Sequence, residues 1–224
     1  FNEISPSSLV EHSRHMGLGR PTGIDYYGTE AGGSLPVPGN VSAAINNAIG
    51  QGDVQVSPIQ MVRLVAGVAN GGSVYQPYLV ERIGGTDFTP LKTEFQPEVV
   101  DDINLSEQTL DIVHKGMCGV TQDEDLGTGF SSFGDAAYIA CGKTGTAQTN
   151  RYPNAWFVAY APADNPEIAV VVMAEQSREG ADVAAPIVRR IMDAYFKQEW
   201  YGYPLWWNEN EYVPVDIPVG ATGG

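Results

Sequence analysis

Apolar positions recur at helical spacing through the first half of the chain and gather into short runs in the second. Leu9, Val10 and Met16 follow Ser5-Pro6 and precede Gly17. An N-cap serine, a proline at the first helical position and a glycine stop predict a short helix there. Ser57-Pro58-Ile59-Gln60 combines a capping box with a first-turn proline, and Met61, Val62, Val65, Val68 and Ala69 carry the apolar face to Asn70-Gly71-Gly72. Ser106 to Met117 repeats this logic, with Leu110, Val113 and Met117 on one face. The stretch between Gly17 and Asn40 is too rich in Gly and Pro for a regular element and too long for an ordinary connection, so it predicts a covering or functional loop.

From Tyr138 the period changes. Three apolar runs, Tyr138 to Ala147, Ala155 to Ala161 and Glu167 to Ala174, are separated by Arg151-Tyr152-Pro153-Asn154 and Pro162-Ala163-Asp164-Asn165-Pro166. Short turn-like breakers between strand-length runs predict a three-stranded antiparallel meander. Asp182 is placed to cap a last helix, with Val183, Ile187, Ile191 and Tyr195 as the face that packs on the sheet, ending near Glu199. The predicted class is α+β: an antiparallel sheet with helices packed on it. The chain divides into a body, 1–199, and a tail, 200–224, whose Trp200, Tyr201, Tyr203, Trp206, Trp207 and Tyr212 show no periodicity and are expected to pack back on the body.

Composition narrows the function classes. With 43% hydrophobic residues, 224 residues can bury a substantial core. A formal net charge of -15 lacks the basic footprint a nucleic-acid binder uses to displace counterions, so nucleic acid is excluded as a general partner. It leaves small substrates open, because one lysine in a cleft dominates the local field. The chain begins with neither a basic n-region nor an apolar h-region, and its opening on Phe1 without a methionine, just before the first helix, suggests that upstream sequence precedes it. Cys118 and Cys141 have no C-x-x-C spacing and give no zinc or thioredoxin signature; two buried thiols is the simpler reading, and a disulfide is the alternative in an oxidising compartment. His12 and His15 lack a third ligand, so a solvated helix face is expected and no metal or cofactor is assigned. Asp101-Asp102 and Asp123-Glu124-Asp125 read as solvated loop charges.

The chemistry gathers at Lys143-Thr144-Gly145-Thr146, within the first run of the meander. A phosphate-binding loop needs glycine five residues before Gly142 and a helix afterwards; Ala137 and a strand stand there instead. A solvated lysine on an edge strand remains possible on these residues alone.

The wider context supplies more. Gly142-Lys143-Thr144-Gly145-Thr146-Ala147-Gln148 resembles the third motif of the penicillin-binding and serine β-lactamase superfamily. Gly17-Leu18-Gly19-Arg20-Pro21-Thr22-Gly23-Ile24-Asp25, Ala48-Ile49-Gly50-Gln51-Gly52 leading into Val56 to Met61, and Ala69-Asn70-Gly71-Gly72 with Pro77 resemble class B penicillin-binding proteins in the same order, over about 17–196. The resemblance leans toward the elongation type. It implies the C-terminal part of the β-lactamase/transpeptidase-like fold, with three of the family's five strands here and an apolar surface or strand edge left to cover. It also implies a serine D,D-transpeptidase that cross-links peptidoglycan stem peptides, binds β-lactams and works outside the cell membrane, anchored upstream. Partners implied are a stem peptide or β-lactam, the N-terminal half of the same protein and the cell-wall elongation machinery.

The family acylates a serine in S-x-x-K and uses S-x-N as a second motif. No serine lies three before Lys92, Lys115, Lys143 or Lys197, and none lies two before any asparagine. Tyr152-Pro153-Asn154 follows the K-T-G strand and is explained as a turn. On this resemblance Lys143 and Thr146 are the catalytic residues here, and Lys143, Thr144, Gly145 and Thr146 bind substrate. The cation and hydroxyls meet a terminal carboxylate, the Thr146 N–H serves an oxyanion hole, and Gly145 keeps the strand edge open. Gln51 and Gly52 line the cleft or merely form a turn. The alternative reading is a catalytically silent sensor or scaffold.

Overall fold

The computed structural model describes residues 5–25, 27–84 and 90–198, with side chains excepted at 84 and 90–94. The tail at 200–224 and the predicted helix end at Glu199 lie outside the described residues. Helix α1 (Pro6–His15) starts on the Ser5 cap as expected. Helix α2 (Val41–Ala48), which the sequence pattern did not indicate, begins where the Asn40 side chain accepts the N–H of Ala43. Helix α3 (Pro58–Ala69) has the full capping box of Ser57 and Gln60. Four short strands follow: β1 (Ser73–Tyr75), β2 (Arg82–Gly84), β3 (Pro90–Glu94) and β4 (Val99–Asp102), paired β1 with β4 and β2 with β3. Helix α4 (Glu107–Gln122) starts at Ser106 and runs a turn beyond the Met117 expected from its apolar face. Helix α5 (Phe130–Phe133) is a single turn.

The meander then forms as β5 (Cys141–Ala147), β6 (Asn154–Ala161) and β7 (Ile168–Ala174), antiparallel in the order β5-β6-β7. The register pairs Lys143 with Val158, Gly145 with Trp156 and Thr146 with Ala155. β6 is central and paired on both edges, and both its faces are covered. Ala155, Phe157, Ala159 and Ala161 meet Phe133 and the last helix, α6 (Ala184–Tyr195), in one core cluster, where the Phe133 and Phe157 rings stack at 5.5 Å. Val158 and Tyr160 meet Val65 of α3 on the other face, together with Cys141. A third cluster of Val68, Val74 and Ile103 lies between α3 and the β1–β4 pair.

Helix α6 lies on the sheet as predicted, but with a different face inward. Ala184, Ala185, Val188 and Met192 are fully buried, while Ile191 and Tyr195 are 42% and 48% exposed. The buried stripe includes Arg189 and Asp193, one turn apart, whose Nε–Oδ1 ion pair spans 2.8 Å. Arg189 also donates to the Ser132 carbonyl at 2.8 Å, and the Tyr138 hydroxyl donates to Asp193 at 2.9 Å. Polar residues with partners thus hold positions that the apolar periodicity gave to Ile187 and Ile191. The N-cap is Val183, without a side-chain cap bond, so the capping role expected of Asp182 is not observed.

Cys118 of α4 and Cys141 of β5 form a disulfide, which replaces the reading of two thiols. His15 and Asp101 are likewise not merely solvated. His15 Nδ1 lies 3.2 Å from Asp101 Oδ1, and Arg20 reaches the other oxygen at 2.7 Å. Asp123 accepts the N–H groups of Asp125 and Leu126, closing the turn after α4.

Candidate active site

Two buried polar side chains of α3 organise the long segment before α2. Gln60, fully buried, donates from Nε2 to the carbonyls of Arg20 (2.7 Å) and Gly32 (2.8 Å) while its Oε1 completes the capping box. Arg63 donates to the carbonyls of Gly17 and Thr22. Glu30 accepts the N–H groups of Thr22 and Gly23, and Asp25 accepts those of Leu79 and Val80. Burial raises the Glu30 carboxyl pKa, but these N–H donors and the Arg63 charge outweigh it and leave the group below its usual range. An irregular loop this long carries many backbone polar groups, and these side chains satisfy a share of them.

Beyond α2 the chain delivers Gln51 to the sheet. Gly50 and Gly52 stand at φ +75° and +77°, a conformation that a residue with a Cβ adopts only under strain. The turn they make after α2 projects the Gln51 carboxamide onto β5. Its Nε2 donates to the Thr146 carbonyl at 3.0 Å, and its Oε1 accepts the Gln148 N–H at 3.3 Å.

These bonds define which side of β5 is free. The Thr146 carbonyl points away from β6, and backbone groups alternate along a strand, so the N–H and C=O of Thr146 and Thr144 face the unpaired edge. Lys143 Nζ also reaches that edge, donating to the Thr144 carbonyl at 2.7 Å, and the side chain is exposed. On the sheet face it shares with Val158 and Trp156, a cavity of about 620 Å³ opens. Lys143 to Thr146 form part of its polar wall, with Gln51 and Asn154, and Met61, Trp156, Val158 and Met173 supply part of its apolar lining. Gly145 shares the face of Lys143; a Cβ there would come within 3.2 Å of the Trp156 Cβ.

The two threonine hydroxyls are engaged on the other face. Thr144 Oγ1 lies 2.9 Å from Thr128 Oγ1, and Thr146 donates to Glu179 Oε2 at 3.0 Å. Thr128 and Glu179 carried no signal in the sequence, since each is an isolated loop residue. Gln51 did carry one, a glycine on either side, but turn formation explained that pattern equally well. Lys143, Thr144, Gly145 and Thr146 therefore stand on one strand at the rim of one cavity. Among the described residues no cluster of three metal-ligating side chains occurs.

An antiparallel meander with helices on both faces, and a lysine and two threonines along its free edge, define a transpeptidase-type module. The family model for the penicillin binding protein transpeptidase domain matches residues 1–193, and the chain belongs to that family. Its relatives are class B penicillin-binding proteins. Peptidoglycan D,D-transpeptidase MrdA of Haemophilus influenzae is 31% identical over 229 residues, covering 88% of this chain and 34% of the relative. The crystal structure of Pseudomonas aeruginosa PBP2 in complex with WCK 5153 superposes with a TM-score of 0.75 at 34% identity, covering 88% of this chain and 43% of that one. The imipenem acyl-enzyme complex of penicillin-binding protein A from M. tuberculosis gives 0.72 at 28% identity, covering 85% and 42%. The chain thus spans about a third of the length of MrdA.

Proposed function

We propose that this chain is the substrate-binding part of a serine D,D-transpeptidase that cross-links peptidoglycan stem peptides and is acylated by β-lactams. The observation that carries the reading is the free edge of β5, with Lys143 and the backbone groups of Thr144 and Thr146 at the rim of the cavity. A stem peptide ending in a carboxylate would anchor to the Lys143 ammonium, and to the threonine hydroxyls once these turn from Thr128 and Glu179, and lie along this edge. The Thr146 N–H, on the same edge, would donate to the developing oxyanion. Gly145 keeps the strand surface open beside them.

The nucleophile would come from an S-x-x-K serine in the N-terminal half of the same protein. Its Oγ attacks the penultimate D-Ala carbonyl, the paired lysine takes its proton, and terminal D-Ala leaves as the amine that receives that proton. An acceptor amine then attacks the ester and releases the serine. Membrane anchoring and an extracytoplasmic position follow from this reading, and the Cys118–Cys141 disulfide supports them, since such bonds persist in oxidising compartments. The cell-wall elongation machinery is the partner this class of protein would serve.

The test is acylation by a fluorescent penicillin. The domain completed by its preceding half should label stoichiometrically, and Lys143→Ala should slow acylation roughly 100-fold or more, the scale of a lost proton-transfer or electrostatic contribution. The chain by itself, without S-x-x-K, should take no label. An unchanged rate in Lys143→Ala would overturn the role of the lysine. Acylation without peptide turnover would identify a sensor instead.

A further inference from the structure

The Gln51 carboxamide makes a pattern that is not an ordinary side-chain contact. It donates to the carbonyl of residue 146 and accepts from the N–H of residue 148, the two bonds a residue of a neighbouring parallel strand would make opposite Ala147. The side chain therefore acts as a one-residue strand on the open edge of β5. Gly50 and Gly52, both in left-handed conformations, hold it there from a segment almost 100 positions away in sequence.

A ligand whose carboxylate sits at Lys143 and whose chain follows this edge runs toward Thr146 and Gln148, since Lys143 to Ala147 line the cavity in that direction. A backbone-like N–H in that part of the ligand would seek the Thr146 carbonyl, where Gln51 already donates. We propose that Gln51 is a specificity-determining residue: an internal strand mimic that a ligand must displace if it pairs with the β5 edge beyond the reacting carbonyl, and that a ligand without such a group leaves in place. The inference rests on the transpeptidase reading and adds to it a selection by backbone pairing. Ligands offering an amide in register regain the lost bonds; ligands offering bulk without an amide do not.

Two readouts on the completed transpeptidase domain test this. The first is amide hydrogen exchange at Gln148, which should accelerate about tenfold in Gln51→Ala because its acceptor is gone. The second is the ratio of acylation rates for a penam carrying an acylamino side chain and a penam unsubstituted at that carbon. Gln51→Ala should raise this ratio roughly three- to tenfold, the worth of about one net hydrogen bond. Gln51→Glu, similar in size but without a donor for the Thr146 carbonyl, should move it in the same direction. An unaltered Gln148 exchange rate, an unchanged ratio, or a fall in it would each overturn the proposal. If the unsubstituted domain and its variants react with neither penam, the transpeptidase reading fails and the selection role fails with it, while the Gln148 exchange rates still report whether Gln51 holds the edge.

Discussion

Cys118 and Cys141 tie α4 to β5 two positions before Lys143. Thr121, on the same helix, donates its hydroxyl to the Ala140 carbonyl, so α4 grips the start of the strand twice. Both contacts lie at the buried end of β5, and the strand runs from there out to its exposed lysine.

The bond should be found in the folded protein by non-reducing peptide mapping, with the two cysteines in one linked pair. It closes a loop across a sequence separation of 23, so the Cys118→Ala, Cys141→Ala double variant should lose about 3 kcal/mol in denaturant unfolding. Recovery of both cysteines as alkylated thiols from native protein would contradict the pairing.

Acid should loosen the segment that covers the site. Burial raises the Asp101 carboxyl pKa, but hydrogen bonds from His15, the Asp102 N–H and Arg20, with the charge of His15, hold it below its usual range. Asp25 is held low by the Leu79 N–H, then by that of Val80 against a desolvation penalty. Carboxyls with depressed folded values contribute stability that is present above the unfolded value, about pH 4, and is lost as pH falls through the folded one. Unfolding midpoints should therefore drop steeply below about pH 4, and Asp101→Asn should flatten that drop. Parallel pH profiles for the two proteins would show that the His15 and Arg20 contacts carry no linkage.

The two faces of α6 should separate cleanly in stability. Met192 is fully buried, and Met192→Ala should cost about 2–5 kcal/mol. Ile191, 42% exposed, should cost under about 1 kcal/mol when truncated to alanine. Urea unfolding of the two variants decides this, and a larger loss at Ile191 would restore the face that its periodicity suggested.

That helix shows where the sequence was legible and where it stopped. The Ser57 capping box, the Ser5 cap and the three strand runs are local signals, and each element appears where its signal stands. The α6 face was not local: Arg189 and Asp193 are buried because they find each other, Ser132 and Tyr138 across the fold, which no hydrophobic count registers. The strands β1 to β4 have three to five residues each, too few for a period to emerge. At the site, K-T-G-T was visible as a motif with its family context. The partners that fix its surroundings, Gln51, Thr128 and Glu179, reach it from 16 to 97 positions away. The disulfide, too, depended on two elements meeting in space.

Strand β6 behaves as a partition wall. Phe157 fills the compartment under α6 and Tyr160 the one under α3, and the two are not interchangeable in size or surroundings. A slip of β5 by one residue against β6 would move every side chain of that strand to the opposite compartment. Lys143 would then face α6 and leave the cavity without its cation. The residues that keep the lysine on the correct side are therefore ones with no reactive group at all. Substitutions deep in that wall, such as Phe157 to a smaller residue, would therefore disturb the placement of the lysine without touching the motif.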